Sequence, residues 1–388
     1  MKYIEKLLKG AEVKWMPLGE VFETRNGYTP SKANNDFWTN GDIPWFRMED
    51  IRESGRLLND SIQHITPQAV KGKGLFRADS IIMATTATIG EHALLLVDAL
   101  ANQRFTNFQI RKSLSEQISP MFAFYYFFVL GEWCKSNVNT SSFPSVDMAR
   151  LMKQLFPIPP LAVQEEIVRI LGKFTTLEAE LEAELDCRKR QYEYYRNQLL
   201  SFDMLTRGGQ KLNNVEYKAL SEVAEIRRGK RLVKSELSTS GNYAVYQNSM
   251  IPLGYYSKSN VSEGTTFVIS AGSAGEIGYS PNRFWAADDV YYFIFNDGVC
   301  SKYVYYFLLI KQQSIKRQVR RASVPRLSKT AFEKLKIPIP SLAEQQRIVS
   351  ILDKFEALTT SISEGLPKEI ELRRKQYEYY RNQLLSFA

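Results

Sequence analysis

The most regular alternation of apolar and polar positions lies in two stretches, each following a Pro-Ile-Pro segment (157–159 and 338–340). In the first, apolar or aromatic residues fall at Ile167, Ile170, Phe174, Leu177, Leu181, Leu185, Tyr192, Tyr195, Leu199 and Phe202, with Arg188 in the one gap. The second reads Ile348, Ile351, Phe355, Leu358, Ile362, Leu366, Ile370, Tyr377, Tyr380, Leu384 and Phe387, with Arg373 in the matching gap. Steps of three and four residues define a narrow helical seam of the coiled-coil kind rather than a broad globular face. A single seam cannot bury itself. The pattern therefore predicts two long helices packed on each other, antiparallel because a compact segment separates them. Glu178, Glu180, Glu182, Glu184 and Asp186 would then lie beside the mate's basic run Arg373, Arg374, Lys375. Four extra residues in the second copy keep the seam in phase, and Gly365 with Pro367 predicts a kink or break there. At about 1.5 Å per residue, a helix over 161–202 would span about 63 Å.

Outside these stretches the period changes. β-rich runs at 80–90, 94–99, 265–270 and 290–295 alternate with Gly, Asn and Ser turns. Two aromatic-rich runs, 118–133 and 301–318, read as helices whose rings belong to a core. The predicted fold class is thus α+β, with mixed α/β globular parts alternating with long helices.

The chain repeats itself. QYEYYRNQLLSF occurs at 191–202 and unchanged at 376–387; 155–174 pairs with 335–355, and 13–27 with 215–229. Weaker echoes join TIGEHAL (88–94) to EIGYSPN (276–282) and SFPSVDM (142–148) to SVPRLSK (323–329). A tandem duplication with four segments follows: globular 1–157, helix 158–202, globular 203–338, helix 339–388. The helices stayed alike while the globular parts diverged in length and sequence. That suggests two different targets held by a constant frame.

Charge separates the two globular parts. Residues 1–160 hold 18 Lys/Arg and 16 Asp/Glu, whereas 203–336 hold 20 and 11, so the second carries the whole excess of the +9 chain. Such a basic part suits a polyanion, because Lys and Arg contacts to phosphate dominate nucleic-acid affinity; charge runs also form ordinary solvated faces. The candidates in the second part are Arg227, Arg228, Lys230, Arg231 and Lys234, then Lys316, Arg317, Arg320, Arg321, Arg326 and Lys329, with the amides Gln247 and Asn248. In the first, Arg25, Asn26, Tyr28, Thr29, Ser31 and Lys32, followed by Arg47 and Arg104, offer donors and acceptors suited to base edges. A plain surface turn around Gly27 and Pro30 would contain the same residues.

Catalytic signatures are missing. Gly72-Lys73-Gly74 has neither the spacing nor the Ser/Thr of a phosphate loop, and no Asn-Pro-Pro-Tyr or Asp-Pro-Pro-Tyr tetrapeptide of an amino-methyltransferase occurs. His64 and His92 leave few acid–base candidates. Cys134, Cys187 and Cys300 lie too far apart for a disulfide framework or zinc cluster. No cofactor or metal is expected for this chain. No apolar run reaches membrane length, and the start is not a signal peptide, so a cytoplasmic location is expected. A non-catalytic DNA-reading chain fits these features; a stand-alone coiled-coil assembly or regulatory protein with an incidental basic surface is the alternative.

The order of several segments resembles the specificity subunits of type I restriction–modification systems. The carriers are Gly27-Tyr-Thr-Pro-Ser-Lys32, Phe37-Trp38, Gly41-Asp-Ile-Pro-Trp45, Ile89-Gly90, Asn102-Gln103, Tyr243 to Tyr256, Gly264 to Gly278, and both Pro-Ile-Pro segments with Gln164 and Gln345 beyond them. The resemblance implies two target-recognition domains, each reading half of a bipartite duplex DNA target. The paired helices would serve as a ruler and docking site for two modification subunits, which methylate adenine with S-adenosylmethionine; restriction subunits join some such complexes. It further implies that Tyr192, Tyr195 and Leu199, with Tyr377, Tyr380 and Leu384, face either the mate helix or the modification subunits.

Overall fold

The computed structural model describes residues 3–72, 74–139, 144–201, 215–321, 323–361 and 364–387. Of the positions singled out above, Lys73, Ser142, Phe143, Phe202 and Ile362 lie outside the described residues. The chain divides into two compact units, Met1–Glu180 with Glu371–Ala388, and Leu181–Ile370.

The first unit contains α1 (Tyr3–Leu8), β1 (Lys14–Pro17), α2 (Leu18–Val21), β2 (Phe22–Asn26), β3 (Ile43–Phe46), α3 (Met48–Ser54), β4 (Leu57–Leu58), β5 (His64–Ile65) and β6 (Ile81–Ala84). It continues with β7 (His92–Leu95), β8 (Leu100–Ala101), β9 (Phe105–Ile110), α4 (Pro120–Ser136), β10 (Val138–Asn139), β11 (Ser145–Val146), α5 (Met148–Leu151), β12 (Leu155–Ile158) and the start of α6 (Leu161–Leu199). A five-stranded sheet runs β2-β9-β6-β7-β4, and a three-stranded sheet runs β5-β3-β8. β6 is buried on both faces because α4 covers one and the small sheet's core fills the other. The helix α4 begins where Ser119 caps and Pro120 presets the first turn, and its aromatic residues Phe122, Phe124, Tyr125, Tyr126 and Phe127 are buried, as expected of core.

The second unit takes the end of α6, then β13 (Glu216–Ala219), α7 (Leu220–Val223), β14 (Ala224–Arg228), β15 (Tyr243–Tyr246), β16 (Gly254–Tyr256), β17 (Thr265–Ile269), β18 (Ile277–Ser280), β19 (Phe284–Ala286), β20 (Val290–Phe295), α8 (Ser301–Lys316), β21 (Lys336–Ile339) and α9 (Leu342–Thr360). The last helix, α10 (Leu366–Leu385), begins here and enters the first unit at Glu371. The sheet order β14-β20-β17-β18 repeats β2-β9-β6-β7, and β16-β15-β19 repeats β5-β3-β8. The antiparallel pairs β1-β12 and β13-β21 close each copy at its base. The duplication read from the sequence is therefore a duplication of topology.

The hydrogen-bond frame corrects one detail of it. The Gly90 N–H donates to the Ala84 carbonyl and the Glu91 N–H to Thr88; Gly275 donates to Ile269 and Glu276 to Ser273. Gly90 thus matches Gly275, not Gly278 as the Ile-Gly echo suggested, and His92 matches Ile277. The other weak echo keeps its register: Val146 donates to the Thr85 carbonyl and Leu327 to Ser270.

Both long-helix segments start on the same device. Gln164, fully buried, accepts the Ser119 N–H through Oε1 (2.9 Å) and donates through Nε2 to the Gln117 and Pro159 carbonyls (both 2.8 Å). Gln345, also fully buried, accepts from Cys300 (2.8 Å) and donates to the Gly298 (3.0 Å) and Pro340 (2.8 Å) carbonyls. Each amide satisfies backbone groups that the helix starts would otherwise leave buried and unpaired.

The predicted antiparallel pairing occurs within each unit. In the first, Phe174 stacks on Tyr380 (5.3 Å between ring centroids) and meets Tyr377 (6.3 Å), Arg374 bonds Glu178, and Leu384 and Leu385 join the core with Ile167 and Leu171. In the second, Phe355 stacks on Tyr195 (5.5 Å) and meets Tyr192 (6.5 Å), and Leu200 joins Ile348 and Leu352. Position rises along one helix as it falls along its mate. The expected break is present: α9 ends at Thr360 and α10 begins at Leu366. Gly365 between them has φ +83°, and a Cβ there would lie 2.6 Å from the Ala357 carbonyl oxygen.

Candidate nucleic-acid interface

In each unit the sheets bring the same strand ends to one edge. β14, β15, β17 and β19 finish there and β20 begins there, as their cross-links require. The Lys230 N–H donates to Ala286 (2.9 Å), Ala287 to Tyr246 (2.9 Å) and Ser270 to Asp289 (2.7 Å). The turn 270–275 then anchors two more segments. Its Ser273 N–H donates to the Asn248 carbonyl (2.9 Å), and its Gly272 N–H to the Pro325 carbonyl (3.2 Å). Arg320 and Arg326 form a reciprocal backbone pair, at 2.9 and 3.1 Å, on the segment after α8.

This edge gathers most of the sequence candidates of the second unit. Lys230, Asn248, Arg320, Arg321 and Arg326 are exposed on it, and Gln247 is half-buried. Arg228 donates from Nε to the Asp288 carbonyl (2.6 Å), so part of its donor set is committed. Arg317 caps the end of α8 and is exposed; Arg231 and Lys234 are exposed on the segment beyond Lys230. Arg227 is placed differently. It lies on the face of β14 and pairs in bidentate fashion with Glu225 (2.7 and 2.8 Å), two residues away on the same face of the strand.

The first unit repeats the edge with other chemistry. Tyr28 donates its N–H to Ala101 (2.9 Å), Asn102 to Phe46 (3.0 Å) and Thr85 to Arg104 (3.0 Å). Gly27 and its counterpart Gly229 permit this closure. A Cβ on Gly27 would meet the Ala101 and Asn102 carbonyl oxygens at 2.3 Å, and one on Gly229 would meet Ala287 at 2.1 Å. Trp45 of β3 and Trp285 of β19 sit on non-equivalent strands, yet each donates its indole N–H (3.0 Å) to the residue after that glycine, Tyr28 or Lys230.

Several first-unit candidates are already occupied. Arg25 donates to the Leu75 carbonyl (2.6 Å) and lies 4.7 Å from the Phe76 ring centroid, and burial lowers its pKa from the ordinary arginine value. The Tyr28 hydroxyl donates to the Ala69 carbonyl and accepts the Lys71 N–H. Arg47 lies over Trp45 and beside Glu49 (3.9 Å). Asn26 accepts through Oδ1 from Thr106 (2.9 Å), whose hydroxyl in turn contacts Thr85 (3.2 Å); its amide N–H groups make no hydrogen bond among the described residues. Thr29 bonds Gln103, while Ser31, Lys32 and Arg104 are exposed. The supporting threonines Thr85 and Thr106 carry no signal in the sequence beyond the place of Thr85 in the β-rich run 80–90.

The helix candidates mostly face inward. Leu384 is fully buried, Leu199 packs against the second unit's core, and Tyr192, Tyr195, Tyr377 and Tyr380 meet Phe355 or Phe174 as above. The most exposed aromatic residues of the repeated motif are Tyr194 (60%) and Tyr379 (61%), and Tyr195 remains 44% exposed despite its contact with Phe355. No group of three or more metal-ligating side chains occurs among the described residues, and no described helix is long and apolar enough to cross a membrane.

Comparison with known proteins agrees with this duplicated architecture. The family described as "Type I restriction modification DNA specificity domain" matches twice, over residues 11–186 and 213–372. The EcoprrI type I restriction enzyme specificity subunit of Escherichia coli is 40% identical, with 94% of this chain and 92% of that protein covered. The EcoR124I/EcoR124II specificity subunit of the same organism is 33% identical over 100% and 97%. Among solved structures, the type I S subunit from M. genitalium superposes with TM-score 0.58 at 18% identity, covering 98% and 97% of the two chains. A chain from a structure concerning complex assembly and conformational transition of the type I R-M system gives 0.64 at 17%, covering 97% and 98%. Two matched specificity domains, each on its own duplicated sheet system, mean that this chain belongs to the type I restriction–modification DNA specificity family.

Proposed function

We propose that this specificity subunit is non-catalytic and reads a bipartite duplex, one half with each strand-end edge, and that the paired helices set the spacer between the halves. The observation that carries the proposal is the convergence of Lys230, Gln247, Asn248, Arg320 and Arg326 on one edge of the second unit. Amides there suit adenine edges, and the guanidinium groups suit guanine or phosphate. The same edge in the first unit presents Asn26, Ser31, Lys32 and Arg104, with less net charge and more neutral hydrogen-bonding groups.

Methylation belongs to partners in this reading. Two modification subunits supply S-adenosylmethionine chemistry and dock on the outward faces of the long helices, restriction subunits join them in a full complex, and the assembly works in the cytoplasm. The test is methyl transfer to duplex DNA with and without a modification subunit, coupled to genome-wide mapping of methylated adenine. The chain alone should transfer nothing, and the complex should mark one bipartite sequence. Transfer by the chain alone, or unpatterned methylation by the complex, would refute the reading.

A further inference from the structure

The most exposed large apolar side chain among the described residues is Ile251, at 78%. It sits in the loop joining β15 to β16, three residues after Asn248, on the edge assigned above to DNA. Isolated exposed apolar residues are common; the way this one is held is not. On one side, the Asn248 carbonyl accepts the Ser273 N–H (2.9 Å), fixing the loop to the turn 270–275. Next, Met250 turns inward: its methyl fills the space over Gly278, 2.4 Å from where a Cβ would stand. The Ser249 hydroxyl donates to the Ile251 carbonyl (2.9 Å), and the Leu253 N–H donates to Val245 to close the hairpin (2.8 Å). An apolar tip is thus presented on a loop that needs no further ordering. The turn that holds the loop also holds the Arg320–Arg326 segment, so the loop shares this strand-end edge with the exposed Arg320 and Arg326.

Those neighbours choose the partner. A basic surround with two amides alongside favours a polyanion over an apolar protein face. Within duplex DNA, the apolar group on the base edges of the major groove is the C5 methyl of thymine. The Asn248 amide makes no hydrogen bond among the described residues and suits the adenine edge of the same kind of pair. We infer that Ile251 is a specificity-determining residue that packs on a thymine methyl in the half-site read by the second unit. The inference rests on the reading that this edge faces DNA.

The test uses the full chain and a duplex that it selects from a random pool. Each thymine of the second half is replaced singly by deoxyuridine, which removes the methyl alone, and affinity is measured for the wild type, Ile251→Ala and Arg320→Ala/Arg326→Ala. One deoxyuridine position should weaken wild-type binding about fourfold, the worth of one buried methyl. Ile251→Ala should be weakened on the thymine duplex and indifferent to that position. The inference is overturned if the selected half lacks thymine, if no position is methyl-sensitive, or if Ile251→Ala weakens binding to every sequence equally, as a wedge between base steps would. It also falls if Ile251→Ala impairs assembly with a protein partner while leaving DNA affinity intact. If neither the Ile251 nor the arginine variant alters DNA binding, the edge assignment itself fails, which separates the two claims.

Discussion

His92 and Ile277 occupy the same position in the two copies, and the protein thereby contains its own control. His92 is buried among Phe124, Phe127 and Phe128, bonds the Gly90 carbonyl through Nδ1 (3.1 Å), and burial lowers its pKa from 6.5 to about 3. The folded state holds the ring neutral while the unfolded chain protonates it near its ordinary value. Stability is therefore complete above about pH 6.5 and declines as pH falls from there towards about 3, at about 1.4 kcal/mol per pH unit. His92→Ile, the residue of the other copy, should flatten the acid limb of the first unit's urea midpoint between pH 7 and 5. An unchanged limb would show that other groups control it. The buried amides give a second residue-scale expectation. Gln345→Leu strands the Cys300 N–H and two carbonyls, and should cost roughly 2–4 kcal/mol in denaturant unfolding, with Gln345→Glu only partly restoring it.

At the scale of elements, the helix seams were legible because a three-four period survives any tertiary context. Gly365 and Pro367 within the in-phase seam located the break between Thr360 and Leu366. Strand-end chemistry was less legible. The Ile-Gly echo pointed to Gly278, yet the ladder aligns Gly275, because a turn's identity lies in its hydrogen bonds rather than in its residue pair. The indole donors Trp45 and Trp285 reach equivalent carbonyls from different strands, a substitution that no linear alignment reveals. Arg25 reads as a candidate base contact, and its hydrogen bond to the Leu75 carbonyl, fifty residues away, is one that no linear pattern marks. The aromatic clasp offers a direct measurement. Double-mutant cycles on Phe174 with Tyr380, and on Phe355 with Tyr195, should each give a coupling of about 0.5–1.5 kcal/mol, because the two ring pairs are near-copies. Coupling in one pair alone would break the equivalence.

For the whole molecule, the contrast in charge has a measurable counterpart. Each phosphate that a cationic side chain neutralises adds about 0.9 to the steepness with which log affinity falls against log salt. Removing Arg320 and Arg326 together should therefore reduce that slope by nearly two, whereas Asn26→Ala with Ser31→Ala should change sequence preference and leave the slope unchanged if the first unit reads chiefly by neutral hydrogen bonds. Exchange of residues 13–155 for another recognition domain should alter one half of the methylated sequence and leave the other intact. A change in both halves would sink the modular reading.

The assignment of Glu371–Ala388 to the first unit has a consequence for how the chain is made. Leu384, Leu385 and Phe387 fill the core beside Phe122, Tyr126 and Phe156, so the unit begun first on the ribosome is finished last. Until those residues emerge, that groove stays open to water while the second unit already has its full complement of helices. Pairings of such long sequence separation form slowly and leave apolar surface exposed meanwhile. A stop codon at 371 should therefore leave the later-made unit protected in amide exchange and the earlier-made one open to protease, an inversion of the usual expectation that truncation harms what lies nearest the cut.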